Sequence, residues 1–163
     1  MVRLAPRILA AAALIWVAIL IVTPVGLAHG YVALPAIVYE AAGLICHQRP
    51  ERSFHLHGIQ LPVCARCFGL YASGAIGAVV ACITAGRWAG RAQAQNTRRG
   101  LVIAAVPTAV TVGCEWFGIW YPGSAMRAIA AIPLGAVAGW VVVMGLASGA
   151  AAPRPSRQVR YHS

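Results

Sequence analysis

The chain contains no lysine and no aspartate, and all of its formal charge rests on thirteen arginines and three glutamates, Glu40, Glu51 and Glu115. Only 10% of the residues are charged, against 60% hydrophobic, and the mean hydropathy is +0.74. So little charge excludes an ordinary soluble domain, in which charged residues make up about a quarter of the chain. A formal charge of +10 would by itself suggest nucleic acid. The arginines, however, stand in pairs and fours between apolar stretches, with no continuous basic face and no interleaved aromatic platform, which excludes a nucleic-acid surface. Alternation of apolar and polar residues is too scarce for a membrane β-barrel. No internal repeat is visible.

What the chain does have is length of apolar run. Four stretches, 8–28, 67–85, 100–120 and 126–147, approach or reach the ~20 residues needed to cross a bilayer's hydrocarbon core. A fifth, 31–45, is shorter and carries Pro35 and Glu40, so it is expected as an interfacial or partly inserted helix. The expected fold is all-α: an integral membrane bundle of four transmembrane helices plus that short helix. Residues 1–147 are read as a single transmembrane domain with the lipid bilayer as its partner, and 148–163, rich in Ala, Pro and Arg, as a disordered cytoplasmic tail. The first apolar run also resembles a signal peptide, but it continues past a typical signal core, which favours a retained anchor.

Arginine placement gives the orientation. Arg3, Arg7, Arg87, Arg91, Arg98, Arg99, Arg154, Arg157 and Arg160 fall on one side, and Arg49, Arg52, Arg66 and Arg127 on the other. The positive-inside rule then places both termini in the cytoplasm and the cysteine loop, about 46–66, outside the cytoplasmic membrane.

That loop concentrates the chemistry. CHQRPERSF at 46–54 and PVCARCFGLY at 62–71 supply Cys46, His47, Cys64 and Cys67 as a metal or redox group, with Arg49, Arg52 and Arg66 around them. Pro62 suits the first turn of a helix. Cys64 and Cys67 are therefore expected in the first turns of a helix that enters the membrane, where the helix end and Arg66 favour thiolate. One reading is a Cys3His zinc site with His47, His55 or His57 as fourth ligand. It lacks a second knuckle. The alternative is quinone-linked thiol–disulfide exchange, with Cys64–Cys67 cycling and Cys46 exchanging with a partner; that reading lacks a second outer cysteine pair. The third is a plain structural disulfide. His55 and His57 alternate with Leu56 and read as solvated.

Glu115, embedded in an apolar run, is a functional hypothesis by default, with Arg127 as its natural partner across the turn near 121–124. Both are expected to join the cysteine loop in one net-positive polar pocket, supported by Gln48, Arg52, Ser53, Arg66 and Tyr71. Gly69, Ser73 and Gly77, and likewise Gly135 and Gly139, recur at spacing four and read as close helix contacts.

The two cysteine strings resemble the signature of a family of small prokaryotic membrane proteins built on a domain of unknown function, with CHQ-x-x-x-RS followed by C-x-RC-x-G-x-Y. The resemblance implies that Cys46, His47, Gln48, Arg52, Ser53, Cys64, Arg66, Cys67, Gly69 and Tyr71 are the shared positions, over roughly 31–145. It also implies that an acidic residue and an arginine of the family correspond to Glu115 and Arg127. It implies a membrane location and no activity.

Overall fold

The computed structural model describes residues 4–84 and 93–149. Among them the chain forms helix α1 (Leu4–Ala28), helix α2 (Ala33–Gly43), a 3-10 turn (Pro50–Arg52), strands β1 (Ser53–Leu56) and β2 (Ile59–Cys64), and helices α3 (Ala65–Thr84), α4 (Gln93–Trp116) and α5 (Ser124–Gly149). The strands pair antiparallel, with Leu56 opposite Ile59 and Ser53 opposite Cys64.

Small residues set the helix packing. α3 and α5 run parallel, because Gly69 faces Ala128 and, two turns on, Gly77 faces Ala136. A Cβ on Gly69, Gly77 or Gly139 would collide with backbone atoms of the facing helix, and one on Gly135 with Leu70 and Ser73. Glycine at these positions lets the two backbones touch, as the spacing of four in the sequence suggests. The Ser73 hydroxyl turns inward and donates to Gly69 O of its own helix at 2.7 Å. α4 packs antiparallel to α5, with the Thr108 hydroxyl donating to Ala130 O at 2.8 Å. α1 is antiparallel to α3: Cys82 meets Pro6 O, Trp16 meets Tyr71, and Leu20 meets Val63 just before α3 begins.

The bundle therefore has two poles. Ala10, Ala78, Ala81, Val143 and Met144 form the apolar cluster at one end. Leu20, Ala42, Cys46 and Val63 form the other, beneath the hairpin. Outward faces are apolar: Ile15 and Val22 of α1, Ile76 and Ile83 of α3, Val102 and Ile103 of α4, and Ile129 and Val142 of α5 are all exposed. A protein presenting such a belt is suited to hydrocarbon as its solvent.

Two expectations need correction. The chain is mostly helical rather than all-α, since 53–64 forms a two-stranded hairpin. Among the described residues, three helices rather than four are long and apolar enough to cross a membrane: Leu4–Ala28, Ala65–Thr84 and Ser124–Ala147. α4 falls short because its first turns carry Gln93, Gln95, Asn96, Arg98 and Arg99 and its last turn carries Glu115, which confines its apolar stretch to 101–114. α2 lies inside the 31–45 segment expected as the short helix. α5 continues two residues past the expected domain boundary, and the expectation for the tail beyond Gly149 lies outside the described residues, as do Arg87 and Arg91.

The glycine contacts give a direct test. Gly139→Ala should lower the thermal unfolding midpoint in detergent, at a cost of about 1–3 kcal/mol for overpacking. Gly145→Ala, on the same helix with nothing within 4 Å of the added Cβ, should be neutral. Equal midpoints for the two variants would contradict the close α3–α5 approach.

Candidate metal centre

Cys46 is placed by the end of α2. The backbone N–H groups of Ile45 and Cys46 both bond to Ala42 O, at 3.2 and 2.9 Å, which closes the helix and buries Cys46. Two residues later Gln48 takes φ +47°, in the left-handed region that a non-glycine residue adopts only under constraint. The constraint is visible in its side chain. Gln48 Nε2 donates to Tyr39 O at 2.7 Å and to Pro62 O at 2.8 Å, clamping α2 to β2. Gln60 Nε2 returns the link to Gln48 O at 2.6 Å, and the Tyr39 hydroxyl donates to Gln60 O.

The hairpin supplies the second cysteine. His57 and Gly58 both have positive φ, +52° and +77°, the signature of a two-residue type I′ turn. β2 then runs back to deliver Cys64 directly before α3. Pro62 and Cys64 thus lie in a strand rather than in the first turns of the helix, correcting the expectation. A turn residue pair between SFHL and IQLPV was the signal for the hairpin.

Cys64 sits at the N-cap of α3. Its sulfur is drawn down to about pKa 5, chiefly by a hydrogen bond from the Cys67 thiol. Burial opposes the shift, and the Cys67 and Arg66 backbone N–H groups and Cys46 assist it. Orphan N–H groups at a helix start are natural partners for a thiolate. The Cys64 N–H in turn donates to Cys46 Sγ at 3.1 Å. The three sulfurs of Cys46, Cys64 and Cys67 all lie within 4.8 Å of one another, and all three are free thiols.

The histidines are placed differently. His47 is exposed and lines the cavity beside the trio without joining it. His55 and His57 are exposed on the hairpin. Tyr71 packs edge-on against Trp16, with centroids 6.4 Å apart, at the apolar margin of the cysteines. Ser53 is buried opposite Cys64, donating to Arg49 O at 2.9 Å.

Glu115 is the hub of a second group. Its Oε1 accepts from Arg66 Nη2 at 2.7 Å and Arg127 Nε at 3.0 Å, and its Oε2 lies 3.5 Å from Arg52 Nη1. The Glu115 and Arg127 side chains are each 7% exposed, whereas Arg66 is 21% and Arg52 35% exposed, so the cluster runs from a buried pair to a half-open edge. One carboxylate ties α4 to α3, α5 and the turn ahead of the hairpin. Arg127, its expected partner, shares it with Arg66 and Arg52. A cavity of about 310 Å³ is lined by Cys46, Cys64 and Cys67 together with Arg52, Arg66 and Arg127, while Glu115 itself stands outside its lining. Sequence reasoning missed Tyr39, Gln60 and Thr111, the last accepting from Arg66 at 3.4 Å. Tyr39 and Thr111 stand in apolar helices and Gln60 in the unrecognised strand, so nothing in their immediate spacing singled them out.

A helical bundle with apolar outward faces suits a membrane protein, and the thiols and arginines gather at one of its poles. Residues 46–141, more than half of the chain, match the family described as "Predicted membrane protein (DUF2085)", and the chain belongs to that family. The match begins at Cys46 and so leaves out 31–45, which the resemblance had been expected to include. An uncharacterised protein of Methanocaldococcus jannaschii is 46% identical over 43 residues, 26% of this chain and 28% of that protein. An uncharacterised protein of Methanothermobacter thermautotrophicus is 56% identical over 27 residues, 17% of this chain and 24% of that protein. The matched segments thus span about a quarter of these relatives' own length. No solved structure matches the chain.

The capped sulfur predicts a pH profile. In reduced, metal-stripped protein, alkylation of Cys64 by iodoacetamide should be flat above about pH 6 and fall as the pH drops through about 5, because the thiolate is the nucleophile. Peptide mapping by mass spectrometry would follow the site. A rate still rising through pH 8.5, as for an ordinary thiol, would contradict the cap.

Proposed function

We propose that this protein is a membrane-embedded metal-binding protein in which Cys46, Cys64 and Cys67 hold zinc at the pole of the bundle that faces out of the cytoplasm. The observation that carries the reading is the mutual approach of three free thiols within 4.8 Å. Zinc–sulfur bonds of about 2.3 Å at tetrahedral angles put sulfurs about 3.8 Å apart, so a small contraction of the trio suffices. Zinc also suits the donors, being borderline-soft and indifferent to redox state. The Cys64 N–H on Cys46 Sγ acts as an outer-shell hydrogen bond that would orient and charge-stabilise the ligand.

Three protein sulfurs leave one coordination position. Its owner is either His47, next to Cys46 in sequence and on the wall of the same cavity, or a ligand entering from that cavity. Outward orientation rests on the arginine distribution, together with the bundle's arrangement, in which the start of α1 and the end of α5 meet at the pole opposite the cysteines.

Quinone-linked thiol exchange is the second reading, and the low-pKa Cys64 three residues before Cys67 favours it. Composition of the purified protein separates the two. Isolated in detergent without reductant, the protein should carry close to one zinc per chain by elemental analysis, and Cys46→Ser should lose most of it. The outer thiols should become reactive only after chelation. In intact cells treated with chelator and reductant, a membrane-impermeant maleimide should label Cys64. Metal-free protein with a reducible Cys64–Cys67 bond and bound quinone would overturn the zinc reading, and labelling only after permeabilisation would overturn the orientation.

A further inference from the structure

The arginines outnumber what holds them. Arg49, Arg52, Arg66 and Arg127 all line the cavity beside the thiols. Arg49 sits at the rim, 4.0 Å from exposed Glu51. Arg52, Arg66 and Arg127 converge on Glu115, and Arg52 also lies 3.9 Å from Glu51, so four guanidiniums face two carboxylates, a surplus of two. Both Glu115 oxygens are already engaged, yet each guanidinium carries five N–H donors. Arg66 Nε is left buried with no hydrogen-bond partner.

Such a surplus is costly beside apolar helices, because like charges repel strongly where water is scarce. Thiolates in the same lining would offset part of it. Three thiolates around a divalent ion carry one net negative charge, which still leaves one positive charge over. An anion in the cavity would offset the charge and accept from guanidinium N–H groups that Glu115 leaves unused there.

Its chemical class follows from the donors. A carboxylate presents two oxygens in one plane, and Glu115 already fills that role. A tetrahedral oxyanion presents three or four oxygens in different directions and can accept from several guanidiniums at once. At about 310 Å³ the cavity lies at the small end of ligand pockets, which suits a compact group.

We propose that this cavity binds a phosphate-class oxyanion, anchored by Arg52, Arg66 and Arg127 in the same lining as the cysteines. Nothing in the proposal rests on the zinc reading, since the guanidiniums are in place whether or not the thiols hold an ion. Inorganic phosphate and the phosphate of a lipid headgroup are two sources of the same chemistry. The headgroup is within reach because the apolar helices emerge at this pole.

Calorimetry on the full chain in phosphate-free detergent tests it, with zinc-loaded and metal-stripped protein run in parallel. The probes are inorganic phosphate, short-chain phosphatidic acid and, as a zwitterionic control, short-chain phosphatidylcholine. The expected result is saturable one-to-one binding of phosphate or phosphatidic acid in both forms, weakening as salt rises. Phosphate binding assigns the free ion as source, and binding of phosphatidic acid alone assigns the headgroup. Arg52→Gln should weaken binding about tenfold, the loss expected for one charge-assisted contact. Arg52 is the most exposed of the three, so its variant should keep the wild-type unfolding midpoint. Arg66→Gln, tested where it folds, should weaken binding at least as much. Absence of binding by either anion in both forms would overturn the proposal, and so would wild-type affinity in Arg52→Gln. Binding confined to zinc-loaded protein would also overturn it, by making the anion a metal ligand. Loss of zinc with anion binding intact would count against the zinc reading alone.

Discussion

One carboxylate holds the polar end of this molecule together. Glu115 lies at the end of α4, and each of its three guanidinium partners comes from a different part of the chain: Arg66 from the first turn of α3, Arg127 from the first turn of α5, and Arg52 from the turn that opens the hairpin. Removing the Glu115 charge would leave Arg66 and the buried Arg127 uncompensated, at a typical cost of about 3–5 kcal/mol. Such a group therefore does more than add stability. It sets the depth and rotation of α3, and α3 carries Cys67 and follows directly on Cys64. The glycine contacts between α3 and α5 impose the same register from the apolar side, so packing and electrostatics agree about where the thiols sit.

The thiol group depends on a second, neutral device. Cys46 and Cys64 are eighteen residues apart in sequence and meet through a backbone-to-sulfur hydrogen bond. The Gln48 amide makes that meeting possible by bridging the end of α2 to β2, at the cost of a left-handed backbone at Gln48 itself. Strain of this kind persists only where the surroundings over-determine it, and it commonly marks a site rather than a scaffold. The density of polar residues in the cysteine loop thereby acquires distinct physical roles. Gln48 and Ser53 brace the loop, Arg52 and Arg66 engage Glu115, and the three cysteines face one another.

Parts of this were legible in the sequence because they follow from periodicity and composition. Apolar runs located the three apolar spans, glycines at spacing four located the tight α3–α5 contact, and a glutamate embedded in an apolar run pointed to an arginine. The remainder depends on tertiary arrangement. Residues 100–120 looked like a span by apolar content, yet the polar first turns of α4 and Glu115 at its end shorten the usable stretch. Pro62 reads equally well as a helix start or as a residue of a short hairpin strand, and only the His57–Gly58 turn decides for the strand. Adjacent Cys46 and His47 could not be assigned to one centre from spacing, and in the fold the backbone sends Cys46 inward and leaves His47 exposed. Arg66 was expected beside the thiols but not as the nearest partner of Glu115, a contact spanning 49 residues that no local pattern encodes.

The central claim is that three sulfurs from two separated segments act together as one metal-ligand set. Zinc K-edge X-ray absorption on the protein purified in detergent tests it most directly. The account predicts three sulfur scatterers at about 2.3 Å and one lighter nitrogen or oxygen scatterer at about 2.0–2.1 Å. A first shell of nitrogen and oxygen alone, or of two sulfurs unchanged by Cys46→Ser, would contradict it.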